Sequence, residues 1–102
     1  MSLKKQFLKS KPICKVTFRL DAEACKEATK VQLLGDFNEW NTENAINMKS
    51  LKSGEFKTIV NLETGKDYEF KYLIDGETWE NDWAADKYVP NGYGVDNSVV
   101  TV

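Results

Sequence analysis

The chain has 102 residues, of which 41% are hydrophobic and 29% are charged. These values predict one globular domain with a single core, and no apolar run approaches the ~20 residues of a membrane span. The sequence contains no histidine, which excludes His-based metal sites and both Ser-His-Asp and Cys-His catalysis. Cys14 and Cys25 are expected to be reduced thiols, and we predict no metal or other cofactor.

Charge is distributed unevenly along the chain. The net charge is −2, yet residues 1–19 hold six basic and no acidic side chains, whereas the remainder holds eight basic and sixteen acidic ones. The acidic body argues against binding nucleic acid, which requires a basic face. We predict a basic, poorly ordered tail over residues 1–12 and a folded domain over 13–102. Because residues 1–11 contain no apolar signal-peptide core, we expect a cytoplasmic protein that is not bound to a membrane.

Alternation of apolar and polar residues predicts a β-strand protein. The predicted strands, in chain order, cover residues 13–20, 30–34, 55–62, 66–75 and 98–102. Turn signals separate them at Ser53-Gly54, Thr64-Gly65, Asp75-Gly76 and Asn91-Gly92. Residues 22–28 are predicted to form no more than a helical turn. The pattern indicates an all-β fold, an immunoglobulin-like antiparallel β-sandwich.

Two tryptophans lie in polar segments that directly follow predicted strands. Trp40 lies in the segment 35–41 and Trp79 in the segment 75–82, both predicted to be loops. An indole among Asn, Asp and Glu is well placed to offer a flat apolar face to a ligand that also carries hydroxyls. The two segments therefore predict a sugar-binding surface, and the alternative is that either tryptophan plugs the end of a small core.

Five short motifs occur in an order and spacing typical of one family. They are Gly-Asp-Phe-Asn-x-Trp at 35–40, Gly-x-Phe at 54–56, Tyr-Glu-Phe-Lys-Tyr-Leu-Ile-Asp-Gly at 68–76, Trp79, and Tyr-Gly-Val-Asp-Asn-Ser-Val-Val at 93–100. Over about residues 13–102 the chain resembles carbohydrate-binding module family 48. That family includes the N-terminal domains of isoamylase and glycogen-branching enzymes and the glycogen-binding domain of the AMP-activated kinase β subunit.

The resemblance implies a set of carbohydrate-binding residues. Trp40 and Trp79 would stack on sugar rings, and Lys71 and Asn97 would hydrogen-bond to sugar hydroxyls. The last loop would line the groove through Gly94 and Val95. Three alternatives stay open: Lys71 pairs with Glu69 or Asp67 on the strand surface, the Asn97 side chain merely holds a turn, or Trp79 stacks on the sheet edge.

The chain also departs from the family pattern. One additional residue separates Gly76 from Trp79, and Asp82-Trp83 stands where many members have Asp-Pro. We interpret Trp83 as a hydrophobic plug beneath its loop, with ligand contact as the alternative. Tyr88 and Tyr93 leave the same two interpretations open.

The sequence therefore predicts a non-catalytic module that binds α-1,4-glucans such as glycogen, starch or maltooligosaccharides. The alternative is a docking module of the same fold that regulates or targets a glycogen-metabolising enzyme or kinase. An enzyme is the least favoured function, because the many carboxylates lie at turns and a small sandwich offers little enclosed cleft.

Overall fold

A computed structural model of the chain describes residues 3–92 and 94–102. Within these residues the strands are β1 (Leu3–Phe7), β2 (Ile13–Leu20), β3 (Val31–Gly35), β4 (Ile46–Asn47), β5 (Lys49–Ser50), β6 (Phe56–Glu63), β7 (Asp67–Ile74), β8 (Thr78–Glu80), β9 (Lys87–Pro90) and β10 (Asp96–Thr101). Two antiparallel sheets form a sandwich, with strand order β1-β2-β6-β5 in one sheet and β4-β3-β7-β10-β9, plus β8 on β7, in the other. Short 3-10 helices cover Ala22–Cys25, Asp36–Asn38 and Thr42–Asn44. The predicted antiparallel β-sandwich is confirmed.

The core lies between the two sheets and is built from alternate residues of the long strands. On β2 the buried side chains are every second one, from Cys14 to Leu20. Phe18 meets Phe70 of the facing sheet edge-on, with ring centroids 5.0 Å apart. Both cysteines are buried free thiols, as expected.

The five predicted strands correspond to β2, β3, β6, β7 and β10, each displaced by at most two residues at either end. The other five strands were not predicted. In the part of the chain that the structure describes, no helix is long and apolar enough to cross a membrane.

The N-terminal segment differs from the predicted disordered tail. Leu3–Phe7 forms β1, which pairs antiparallel with β2 in a register that places Lys5 opposite Val16. Leu3 packs against the core, and the Lys5 ammonium lies 2.7 Å from the Asp86 carboxylate. The expectation of poor order is therefore wrong for residues 3–7. Lysines on an edge strand discourage pairing with other chains. Because the segment is rich in lysine, its sequence did not indicate a strand.

Strand β7 positions the candidate site. Phe70 pairs with Gly35 of β3 on one side and with Ser98 of β10 on the other. Strand β8 pairs with residues 72–74 of β7, and β3 already occupies the other edge there. β8 and β10 therefore follow one another along the same edge of β7, and their outward side chains meet on one face.

Candidate functional site

The loop after β3 is shaped by close backbone contacts at Gly35. A Cβ atom at this position would lie 2.4 Å from the carbonyl oxygen of Glu69, so only glycine fits. Asn38 closes the loop: its Oδ1 accepts from Gly35 N at 3.0 Å, and its Nδ2 donates to Leu33 O at 3.1 Å. Asn38 thus fixes the 3-10 turn that leads to Trp40.

Trp40 is held in an unusual backbone conformation. Glu39 and Trp40 both have left-handed φ angles, 56° and 57°, which bulky residues rarely adopt. Trp40 N donates to Gly35 O at 3.0 Å. Such strain is concentrated at functional sites in proteins, and here it turns a partly exposed indole back over the outward face of the sheet.

Asp36 fixes the orientation of the Trp40 ring. Its Oδ1 accepts from Trp40 Nε1 at 3.1 Å, and its Oδ2 accepts from Glu69 N of β7 at 2.8 Å. One carboxylate therefore ties the indole to the sheet, so Trp40 is presented in a set orientation rather than as a freely rotating side chain.

The sequence predicts a loop around Trp79, but in the structure Trp79 lies on the short strand β8. It pairs with Leu73 of β7 and remains 46% exposed. The ring centroids of Trp40 and Trp79 are 6.4 Å apart, with the planes inclined at 57°. The two predicted indoles thus lie side by side and form an angled aromatic surface.

Lys71 lies on the outward side of β7, opposite Leu34 of β3, and is only 8% exposed. The alternative of a surface ion pair is wrong. The Asp67 carboxylate lies 2.6 Å from Lys87 Nζ, and Glu69 Oε1 accepts from Asn97 Nδ2 at 3.1 Å. Among the ion pairs and hydrogen bonds between described residues, none involves the Lys71 ammonium.

Asn97 belongs to a chain of side-chain hydrogen bonds at the start of β10. Its Nδ2 donates to Glu69, and its Oδ1 accepts from Asn91 Nδ2 at 3.1 Å. Asn91 N also donates to Val95 O at 3.0 Å, which closes the turn before β10. Asn97 therefore does help to hold a turn, and its amide retains one N–H and one lone pair for a ligand.

These side chains border an open cleft of about 780 Å³ on the outward face of the six-stranded sheet. The described residues that line it are Trp40, Lys71, Trp79, Asn91, Val95 and Asn97. Five of these were predicted. Asn91 was missed because the Asn-Gly pair indicated only a turn. Gly94, with a φ of 80°, adjoins Val95 but is not among the described lining residues, and Tyr93 lies outside the described residues.

Trp83 is not the predicted plug. Its side chain is 54% exposed, and its Nε1 donates to Glu80 Oε1 at 3.2 Å. Glu80 pairs with Tyr72, a core-facing residue, whereas Trp79 faces outward, so Trp83 is held on the other side of β8 from the cleft. Tyr88 is 44% exposed, and its hydroxyl donates to the Asp82 carbonyl.

Several of the carboxylates that raised the possibility of catalysis form hydrogen bonds or ion pairs with other groups of the protein. Asp82 is fully buried: its Oδ2 accepts from Tyr72 OH at 2.7 Å, and its Oδ1 accepts from Ala84 N at 2.8 Å. Burial, together with the neighbouring Asp82 charge, raises the pKa of Tyr72 well above its usual value. The Asp86 carboxylate binds Lys5 and accepts from Thr101 N at 2.7 Å. The Asp82 and Asp86 carboxylates therefore stabilise the fold.

A family model described as the glycogen recognition site of AMP-activated protein kinase matches residues 20–102. The match begins within β2 and includes every residue that lines the cleft. No curated protein matches the chain in a sequence comparison.

Proposed function

The chain belongs to this family of glycogen recognition domains, and from that membership we propose that it is a non-catalytic module that binds α-1,4-glucans. The observation that carries the proposal is the pair of indoles, Trp40 and Trp79, inclined at 57° over a cleft that also contains Lys71 and Asn97. Glycogen, starch and maltooligosaccharides share the linkage that this cleft would recognise.

The cleft has the chemistry that a sugar ring requires. A glucose unit has apolar C–H faces, which stack on aromatic rings, and a fringe of hydroxyls, which need a few well-placed donors and acceptors. Trp40 and Trp79 supply the aromatic surface, while the Lys71 ammonium supplies donors and the Asn97 amide supplies a donor and an acceptor. Since Lys71 makes no bond to another described residue, its donors are available to hydroxyls.

The angle between the indoles favours α-linked over β-linked glucans. An α-1,4 chain curves, so successive rings present their faces in different directions. Two platforms inclined at 57° suit such a chain, whereas a flat β-1,4 chain suits coplanar platforms. The cleft is open and shallow, so we expect weak binding with a Kd of roughly 10 µM to 1 mM.

Titration calorimetry with maltoheptaose and, as the matched control, cellohexaose tests the proposal. We expect heat of binding with the α-linked sugar and none with the β-linked one. No heat with millimolar maltoheptaose would contradict glucan binding. It would favour the alternative, a docking module that regulates or targets a glycogen-metabolising enzyme or kinase.

A further inference from the structure

The outward face of the four-stranded sheet carries a row of like charges. Arg19 of β2 lies directly opposite Lys57 of β6, and Lys57 lies opposite Lys49 of β5. Residues paired in an antiparallel sheet share a face, and the alternate residues of β2 are buried in the core, so all three cations point outward. Like charges directly opposite one another destabilise a sheet, and a row of three is therefore unexpected unless a ligand neutralises it.

A depression of about 650 Å³ lies beside this row. Its described lining consists of Leu3, Lys4, Gln6, Lys15, Thr17, Arg19, Lys57 and Ile59, which include four cations and no carboxylate. Ile59 is 57% exposed. The depression thus combines positive charge with an apolar patch, on a molecule whose residues 20–102 carry a balance of −8.

The cations of this face are weakly compensated within the chain. Glu55 approaches Arg19 at 3.9 Å from Oε2 to Nε, a long ion pair, and its Oε1 already accepts from Ser53 Oγ at 2.9 Å. Arg19 Nε is a buried polar atom without a hydrogen-bond partner among the described residues. The positive charge of Arg19 is therefore only weakly compensated by Glu55.

We propose that this cationic face, defined by Lys4, Lys15, Arg19, Lys49 and Lys57, binds an extended acidic protein segment with an apolar side chain packed on Ile59. The face lies on the sheet opposite the glucan cleft, so both sites can be occupied together. Charge complementarity sets the partner class, since this face is cationic on a molecule whose remaining residues carry net negative charge.

The shape and composition of the face favour a peptide over other polyanions. A membrane-binding surface inserts protruding apolar side chains into the bilayer, whereas Ile59 borders a depression. Single-stranded nucleic acids are held by aromatic side chains on which bases stack, and no aromatic residue is among the described lining of this depression. A strand-like segment with carboxylates on both sides of one apolar residue fits both the row of cations and the exposed Ile59 side chain.

Fluorescence anisotropy of the full chain with a short labelled peptide, Asp and Glu around a central Leu, tests the proposal. The same peptide with Asn and Gln is the control ligand. We expect the acidic peptide to bind and the control peptide not to bind. The affinity for the acidic peptide should fall about tenfold or more between low and moderate salt.

The Lys57→Glu variant should bind the acidic peptide about tenfold more weakly than the wild type. The matched charge reversal Lys30→Glu, at an exposed position outside this face, should leave the peptide affinity unchanged.

If Lys57→Glu does not fold, Lys57→Gln replaces it as the test variant, because it removes the charge without reversing it. Lys57→Gln should weaken binding of the acidic peptide about threefold. Maltoheptaose affinity should stay unchanged in these variants. The proposal is overturned if the acidic peptide fails to bind at low salt, or if Lys30→Glu has an equal effect. It is also overturned if phosphatidylserine vesicles or an oligonucleotide bind in a Lys57-dependent manner while the peptide does not, or if sedimentation shows that this face binds a second copy of the chain.

Discussion

Individual side chains in the cleft are fixed by hydrogen bonds to neighbouring protein groups. The two oxygens of Asp36 hold the Trp40 indole and the β7 backbone together, while Glu69 and Asn91 hold the Asn97 amide from either side. Orienting these groups before the ligand arrives reduces the entropy lost on binding. Lys71 is the exception, because it is buried without a bond to another described residue.

Replacing Trp40 tests the stacking platform. Trp40→Ala should lose on the order of 2 kcal/mol of maltoheptaose binding free energy, since ~100 Å² of apolar contact is removed, which is roughly 30-fold in Kd. Calorimetry measures the affinity, and a thermal melt checks that the variant is folded.

Trp83→Ala is the control for Trp40→Ala. Trp83 is similarly an exposed indole with a hydrogen bond to a carboxylate, but it lies away from the cleft. Its removal should leave the affinity unchanged and, because the ring is not buried, should lower Tm little. If Trp40→Ala unfolds the protein, or binds maltoheptaose normally, Trp40 is structural and the proposed site is wrong.

Replacing Lys71 should separate binding from stability. The Lys71 side chain is largely covered, its ammonium borders the open cleft, and Met fills a similar volume with apolar atoms. Lys71→Met should therefore change Tm little while weakening maltoheptaose binding about tenfold, the loss of a charged hydrogen-bond donor. Lys87→Met, which removes an exposed lysine paired with Asp67, should change neither quantity appreciably. A lower Tm for Lys71→Met would show that the ammonium stabilises the fold.

At the scale of strands, sequence pattern was most reliable where alternation was long. Strand β2 has eight residues with alternate positions buried, and its predicted bounds were correct. Strands β4 and β5 have two residues each, too few to show a period, and they form because β3 and β6 offer partners. Strand β8, with three residues, is also too short to show a period, so the sequence alone predicts a loop at Trp79.

The sequence likewise predicted only part of the candidate site. That Lys71 and Asn97 would join the two tryptophans came from the family resemblance, because spacing along the chain does not determine which strand edges adjoin. Placing Trp83 beneath its loop failed because burial there depends on the side of β8 to which Glu80 points, a property of the strand register.

The β7–β8 hairpin is tied to the segment before β3 by one exposed carboxylate. Asp75 Oδ1 accepts from Thr29 N at 2.9 Å, Thr29 Oγ1 at 3.0 Å and Lys30 N at 2.9 Å. These bonds, led by that from Lys30 N, lower the pKa of Asp75 below its usual value. The folded-state pKa is thus below the unfolded one, so the stabilisation is present above the unfolded pKa and is lost as pH falls through the folded one.

Asp75→Asn should therefore be less stable than the wild type at neutral pH, because an amide oxygen accepts these bonds less strongly than a carboxylate. The difference in free energy of unfolding should be constant from pH 7 to about 5 and should shrink below about pH 4. Urea titrations at each pH measure it. Thr29→Val, which removes one of the bonds, should show a smaller difference in the same direction. A difference that persists unchanged at pH 3 would contradict this account.

At the scale of the whole molecule, the two sheets present faces of opposite character. The six-stranded sheet carries an aromatic cleft with one cation, and the four-stranded sheet carries a row of cations beside Ile59. A neutral polymer and an acidic chain would thus bind on opposite sides of one sandwich, through different forces.

The response of affinity to salt distinguishes the two faces. A glucan is uncharged and does not ionise between pH 6 and pH 8, so there is no Coulomb attraction for ions to screen. Maltoheptaose affinity should therefore change less than about threefold between low and moderate salt, and likewise between pH 6 and pH 8. Calorimetry of the full chain measures both series, with Lys57→Glu as the control, because deletion of the N-terminal residues would remove the β1 strand. A steep loss of glucan affinity with salt, or its loss in Lys57→Glu, would mean that the cationic face rather than the tryptophan cleft contacts the sugar.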